Sequence, residues 1–259
     1  MTLAERLRSP AHEERRAAIA EIATRDKVEP AELDALVACL GDAAKAIQRP
    51  AADACRTLAA NGVSVVPLLM IALEAPDPRL RFGAAYALAR LGPPPPVALP
   101  ALLDALALDD GDVRWAAAEL ICRTDPRATV IAGLLPLVRT GNAPQRKMAL
   151  YCLRDLGASN HDVERAALTA MDDTDGGVRL AAMTTLARLA HDRTQVAEKL
   201  MEALNAPDAR ERRAAAAALG DLGHDSVAVR AALETATRGD DVSLRRAAER
   251  SLRRLAPAR

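Results

Sequence analysis

Residues 77–91 read DPRLRFGAAYALARL, and the spacing inside this stretch decides the architecture. Ala84, Leu88 and Leu91 follow Arg81 at three, seven and ten residues, which puts them on one face of a helix with 3.6 residues per turn. Asp77, four before Arg81, is placed to accept hydrogen bonds from the free N–H groups of the first turn. Pro78 follows it, where a missing N–H costs nothing. Taken as an anchor, Arg81 is one of eight: Arg15, Gln48, Arg81, Arg114, Arg146, Arg179, Arg212 and Arg245, at intervals of 33, 33, 33, 32, 33, 33 and 33. Such a period marks a repeat array.

Other columns keep the phase. Seven after the anchor stand Ile22, Cys55, Leu88, Ile121, Leu153, Leu186, Leu219 and Leu252. Twelve before it stand Leu3, Leu36, Leu69, Leu102, Leu134, Ala167, Leu200 and Leu233. Each repeat is therefore two short amphipathic helices around a break. Four before the anchor, Asp77, Asp110, Asn142, Asp175, Asp208 and Asp241 read as N-caps, with Ala11 and Ala44 in the first two repeats. Asp208 and Glu211 have capping-box spacing. Gly92, Gly157 and Gly223, eleven after their anchors, suit helix C-termini. A two-helix unit cannot bury its own face, so the repeats must stack. The run Pro93–Pro96 is a stiff connector, because the period passes through it unchanged, and residues 1–259 read as a single array.

The composition limits what that array can do. Half of the 259 residues are apolar, yet the only aromatics are Phe82, Tyr86, Trp115 and Tyr151, so the core is built from Ala, Leu and Val. Thirty-five basic residues balance 35 acidic ones, which excludes a broadly basic nucleic-acid coat. No apolar run approaches the ~18 residues of a membrane span, and the charged start lacks the apolar centre of a secretory signal. Cys39, Cys55, Cys122 and Cys152 form no CxxC pair and no metal-ligand spacing with the four histidines. A reduced, cytoplasmic protein that binds no metal or cofactor is expected, a monomer by default. Arg outnumbers Lys 31 to 4, which points to a GC-rich bacterial genome.

Asp-x-x-x-Arg-x-x-Ala-x-x-x-Leu-x-x-Leu, intact at Asp77–Leu91 and again at Asp208–Leu222, resembles the short HEAT-like repeats of bacterial proteins and of the bilin-lyase group. The resemblance covers essentially the whole chain. It implies an all-α protein, an α-solenoid of about eight 33-residue two-helix repeats forming a curved superhelix, with the second helices turned to the concave side. The repeated Arg and Asp are expected to form a ladder, each anchor Arg beside the capping Asp of a neighbour, so that substituting Arg114 or Asp110 lowers stability more than binding.

On the second helix, positions +1, +5 and +8 from the anchor point away from the apolar stripe. All four aromatics occupy +1 and +5 of repeats three to five. Phe82, Tyr86, Trp115 and Tyr151 are thus expected as a ridge on the open face, with Arg49, Arg56, Lys147, Arg154 and Glu119 around it. Aromatic anchors with an arginine rim are the composition of a protein-interaction site; packing of the rings on one another is the structural alternative. A non-enzymatic scaffold or adaptor for a protein or peptide is the leading expectation, with no catalytic residue assigned.

Two enzymes and a chaperone of similar repeat type give alternatives. HEAT-like alkylpurine DNA glycosylases place Trp and a carboxylate beside basic residues, as Trp115, Glu119 and Arg154 do here. Glu in place of Asp, a single Trp and zero net charge depart from that pattern. Deoxyhypusine hydroxylase needs several His-Glu pairs, and this chain has only His12–Glu13, with His-Asp at 161, 191 and 224 out of phase. A bilin-lyase-like chaperone subunit rests on the repeat type alone. Seven Arg between Arg238 and Arg259, against Asp240, Asp241 and Glu249, read as a polar end cap or as a surface for an anionic partner.

Overall fold

The computed structural model describes residues 1–255; Arg259 of the basic C-terminal stretch lies outside them. Among the described residues every regular element is helical. Contacts gather into two compact blocks, Met1–Val130 and Ile131–Arg259.

In the first block repeat one pairs α1 (Leu3–Leu7) with α2 (His12–Ile22), and repeat two pairs α3 (Pro30–Ala38) with α4 (Lys45–Ala60). Repeat three is α5 (Val66–Ala72) and α6 (Pro78–Leu91); repeat four is α7 (Leu99–Ala105) and α8 (Gly111–Cys122). α9 (Arg127–Thr140) crosses the division and precedes α10 (Ala143–Asp155). The second block continues with α11 (His161–Ala170), α12 (Gly176–Leu189), α13 (Arg193–Ala203), α14 (Ala209–Leu222), α15 (Val227–Thr237) and α16 (Val242–Leu255).

The predicted columns are the core. All eight residues at −12, from Leu3 to Leu233, are buried, and so are those at +7 except Leu252, which is half-buried. Each Leu withdrawn from water contributes roughly 2 kcal/mol, so the stripes supply most of the drive to stack. The caps form where Asp or Asn stands at −4: Asp77 accepts from the Arg79 N–H, Asp110 from Asp112 and Val113, Asp175 from Val178 and Asp241 from Ser243 and Leu244. In the first two repeats, where Ala stands at −4, Ser9 and Asp42 from position −6 accept the N–H of Ala11 and Ala44 instead. The capping box expected at Asp208 does not form: Asp208 takes the Arg210 N–H, and Glu211 is buried against Arg179. Asn142 with Gln145 forms one instead. Gly157 and Gly223 adopt the left-handed conformation at φ 65° and 67° after their helices, whereas Gly92 ends α6 in an extended one.

The arginine ladder has a different construction from the expected one. Each anchor Arg first turns back on its own repeat. Arg81 donates to the Ala75 and Pro76 carbonyls at 3.0 Å each, and Arg15, Arg114, Arg146, Arg179, Arg212 and Arg245 do the same at equivalent turns. Gln48 reaches the Leu40 carbonyl at 3.0 Å. The guanidinium thus satisfies carbonyls of the turn that joins the two helices of its repeat. Its other edge takes a carboxylate from the next repeat: Arg15 with Asp42 at 2.7 Å, Arg81 with Asp104 at 2.8 Å, Arg146 with Asp173 at 2.6 Å, Arg179 with Glu211 and Arg212 with Asp241 at 3.3 Å. Of these carboxylates only Asp241 stands at the capping position four before an anchor, and it serves its own helix and Arg212 together.

Candidate functional site

In the first block the open face carries a pocket of about 180 Å³ between α4, α6 and α8. Lys45, Gln48 and Arg49 form one wall, Asp112, Val113, Ala116 and Glu119 the opposite one, and Phe82 and Tyr86 lie between them. Phe82 is a correction to the sequence reading. At +1 it was placed on the exposed side, yet it is only 2% exposed and fills the seam beneath the pocket. Its ring centroid is 6.0 Å from that of half-buried Tyr86, at an interplanar angle of 36°. Ala187 and Gly220, both at +8, are likewise buried rather than exposed, because adjacent second helices cover them.

A charged bridge crosses this pocket. Lys45 of repeat two pairs with Asp112 and, at 3.4 Å, with Asp110 of repeat four, so the face folds inward over α6. The Asp112 carboxylate holds the Lys45 ammonium above the usual lysine range. Burial alone would raise the Asp110 carboxyl; the N–H groups of Val113 and Asp112, with Lys45, outweigh it and hold it below the usual range. Lys45 and Asp112 were missed by the sequence reading, since they stand three and two residues before their anchors. Their signal was opposite charge at nearly the same phase two repeats apart.

Trp115 is 55% exposed on α8, on the turn that carries Ala116 and Glu119. Glu119 is exposed, 3.8 Å from Arg123, and Arg49 and Arg56 are exposed on α4. In the second block, α10 carries half-buried Lys147, Tyr151 and Arg154. The Arg154 guanidinium lies 4.8 Å from the Tyr151 ring centroid and pairs with Asp155 at 2.9 Å. Four of the expected surface residues thus accompany Tyr86 in one block, and three belong to the other.

The four cysteines are unbridged. Burial pushes the Cys39 thiol up to about 11 and the Cys55 thiol up to about 12, so both stay protonated and unreactive near neutrality. His161 and His191 approach to 5.1 Å between ring centroids, which the out-of-phase sequence positions hid. The buried Glu164 carboxylate between them accepts the N–H groups of His191 and Asp192. Among the described residues no group of three or more His, Cys, Asp and Glu could hold a metal ion.

Comparison with known proteins bears on the fold. A family model described as HEAT repeats matches residues 33–122 and 163–253. No curated protein matches the sequence. Of solved structures, the Escherichia coli protein YibA is 16% identical over 99% of this chain and 92% of its own, with a TM-score of 0.63. An engineered protein is 20% identical, covering 98% and 77%, with a TM-score of 0.51. Human deoxyhypusine hydroxylase, in complex with glycerol, is 17% identical over 98% and 94%, at a TM-score of 0.42.

Proposed function

This chain belongs to the HEAT-repeat family, and we propose that it is a non-enzymatic scaffold that holds a protein or peptide against the second-helix face of repeats two to four. The observation that carries this reading is Trp115, a large ring left 55% exposed beside a pocket floored by Phe82 and Tyr86. Exposing a Trp forfeits more buried area than any other side chain would, and such rings dominate binding energy when a partner covers them. Arg49, Arg56 and Glu119 supply the polar rim. Lys147, Tyr151 and Arg154 are proposed as a further contact patch on α10. Phe82 serves from below, by holding Tyr86 in place.

The period, which runs through residues 1–259 with one interval of 32, supports reading the eight repeats as one array. Four unbridged cysteines support a reducing compartment such as the cytoplasm. No helix among the described residues is long and apolar enough to cross a membrane.

Quantitative affinity capture from the native cell tests the reading. The wild-type chain should enrich a defined set of proteins that Trp115→Ala and Tyr86→Ala lose and that Arg165→Ala, on the first-helix side, retains. Capture profiles indifferent to both ring substitutions sink it.

A further inference from the structure

The last two repeats gather four guanidinium groups that make no ion pair among the described residues. Arg213 of α14 and Arg246, Arg250 and Arg253 of α16 line a groove of about 420 Å³ with Ser243 and Glu249. All four arginines are exposed. The one hydrogen bond they make among the described residues runs from Arg250 Nε to the Arg246 carbonyl, at 3.2 Å. Three arginines close by are paired with carboxylates: Arg212 with Asp241, Arg230 with Asp225 and Arg254 with Asp221. Asp221, Asp225 and Asp241 are thus used elsewhere, and Glu249 is the one carboxylate that lines the groove beside the four arginines. Arg246, Arg250 and Arg253 are spaced four and three apart on one helix face, where like charges repel. An anion seated among them would remove that repulsion and form charge-assisted, bidentate hydrogen bonds.

The other side of α14 shows which kind of anion. There a groove of about 460 Å³ is lined by Thr184, Ala187, Ala214, Ala217 and Ala218, with Arg154, Arg188 and Asp221, the last paired with Arg254, around them. The two grooves share α14 as a wall. Small side chains make a shallow, weakly apolar track that suits an extended polypeptide. A single-stranded nucleic acid would want aromatic rings for base stacking, and no Phe, Tyr or Trp follows Tyr151 in the sequence. A duplex binder typically neutralises about six to ten phosphates, more than this cluster can reach.

We propose that the groove of Arg213, Arg246, Arg250 and Arg253 docks an acidic peptide segment of a partner protein, its carboxylates among the guanidinium groups and its backbone over the alanine track. Apart from Arg154 at the edge of the alanine track, the site uses no residue of the partner surface proposed above, and the substitutions that test the two are distinct, so either reading can fail without the other.

Fluorescence anisotropy of a labelled octaglutamate peptide with the full chain tests it. The expected result is saturable binding at about 50 mM salt, weakened as the screening length shortens. Arg246→Glu/Arg250→Glu should weaken it about tenfold or more, and the milder Arg246→Gln/Arg250→Gln should weaken it less. Both variants should melt as the wild type does. Arg238→Glu, exposed in the same repeat outside the groove, should bind like the wild type. Absence of saturable binding overturns the proposal. So does an equal loss in Arg238→Glu, which would mean general charge attraction, and so does tighter binding of an oligothymidylate of matching length.

Discussion

Repeats three and four and repeats seven and eight obey one sequence pattern and make opposite surfaces from it. At +1 the first pair carries Phe82 and Trp115, the second Arg213 and Arg246. Between α6 and α8 the helices meet over a short stretch, and a buried ring fills the seam under the Lys45 bridge. Between α14 and α16 the backbones come so close that a Cβ on Gly220 would stand 2.5 Å from Ser251 Oγ. Ser251 there donates to the Ala216 carbonyl at 2.7 Å, as Thr185 does to Leu150 at 3.1 Å. The same backbone period therefore tolerates two kinds of seam. Large residues hold second helices apart and leave a pocket; small ones let them close and push charge to the surface.

The contrast can be broken most forcefully at Phe82. Phe82→Ala removes a ring from a seam that has little else to fill it and should cost about 3–4 kcal/mol in chemical denaturation. A loss below about 1 kcal/mol would show that the seam collapses and that the ring is not its spacer. Gly83 comes next. A methyl there would meet the Leu40 carbonyl oxygen at 2.1 Å, a backbone atom that cannot swing aside. Gly83→Ala should therefore lower stability by about 2–3 kcal/mol, and Gly220→Ala, which meets a serine side chain first, by somewhat less. The reverse order would contradict the closer approach in the first block.

Arg146 and Arg114 compare the ladder itself. Arg146 makes two bonds to Asp173 and one to the Gly141 carbonyl, whereas Arg114 makes its turn contact to Leu108. Arg146→Ala should cost about 2 kcal/mol and Arg114→Ala about 1 kcal/mol. Equal effects in thermal melts would assign the value to the turn alone. The same pair predicts a pH dependence. Arg146 holds the Asp173 carboxyl below its usual range. Its contribution is thus complete above the unfolded pKa of about 4 and fades as pH falls through the lower folded value. Asp173→Asn should flatten the acid limb of the stability profile below about pH 4. The smallest effect is expected at Trp115, more than half exposed on α8, where Ala should cost less than it does at Arg114. A larger drop would move Trp115 from the binding surface to the packing.

Much of this was legible in advance because it is local. A cap needs an Asp or Asn beside its helix, and a buried stripe needs only its own periodicity, so Asp77, Asp110 and the Leu columns read directly from the order of residues. The anchor Arg was legible as a column and misread as a partner. Its flexible stem lets it fold back onto carbonyls five and six residues earlier, a choice that sequence spacing does not display. Phe82 failed for another reason: +1 is the outward direction on an isolated helix, and a neighbouring helix can still cover it.

By itself, then, the order of amino acids determined the two-helix repeats, the caps at Asp77, Asp110, Asp175 and Asp241 and the direction in which each column points from its own helix, since these follow from interactions within about one repeat. Tertiary structure alone decided which of those columns are covered, that Lys45 spans two repeats to Asp112, and that Arg213, Arg246, Arg250 and Arg253 share a groove with Glu249 as its one carboxylate. These depend on the distance between helices about 33 residues apart in sequence. That distance is set by the volumes of side chains that meet only after the repeats have stacked.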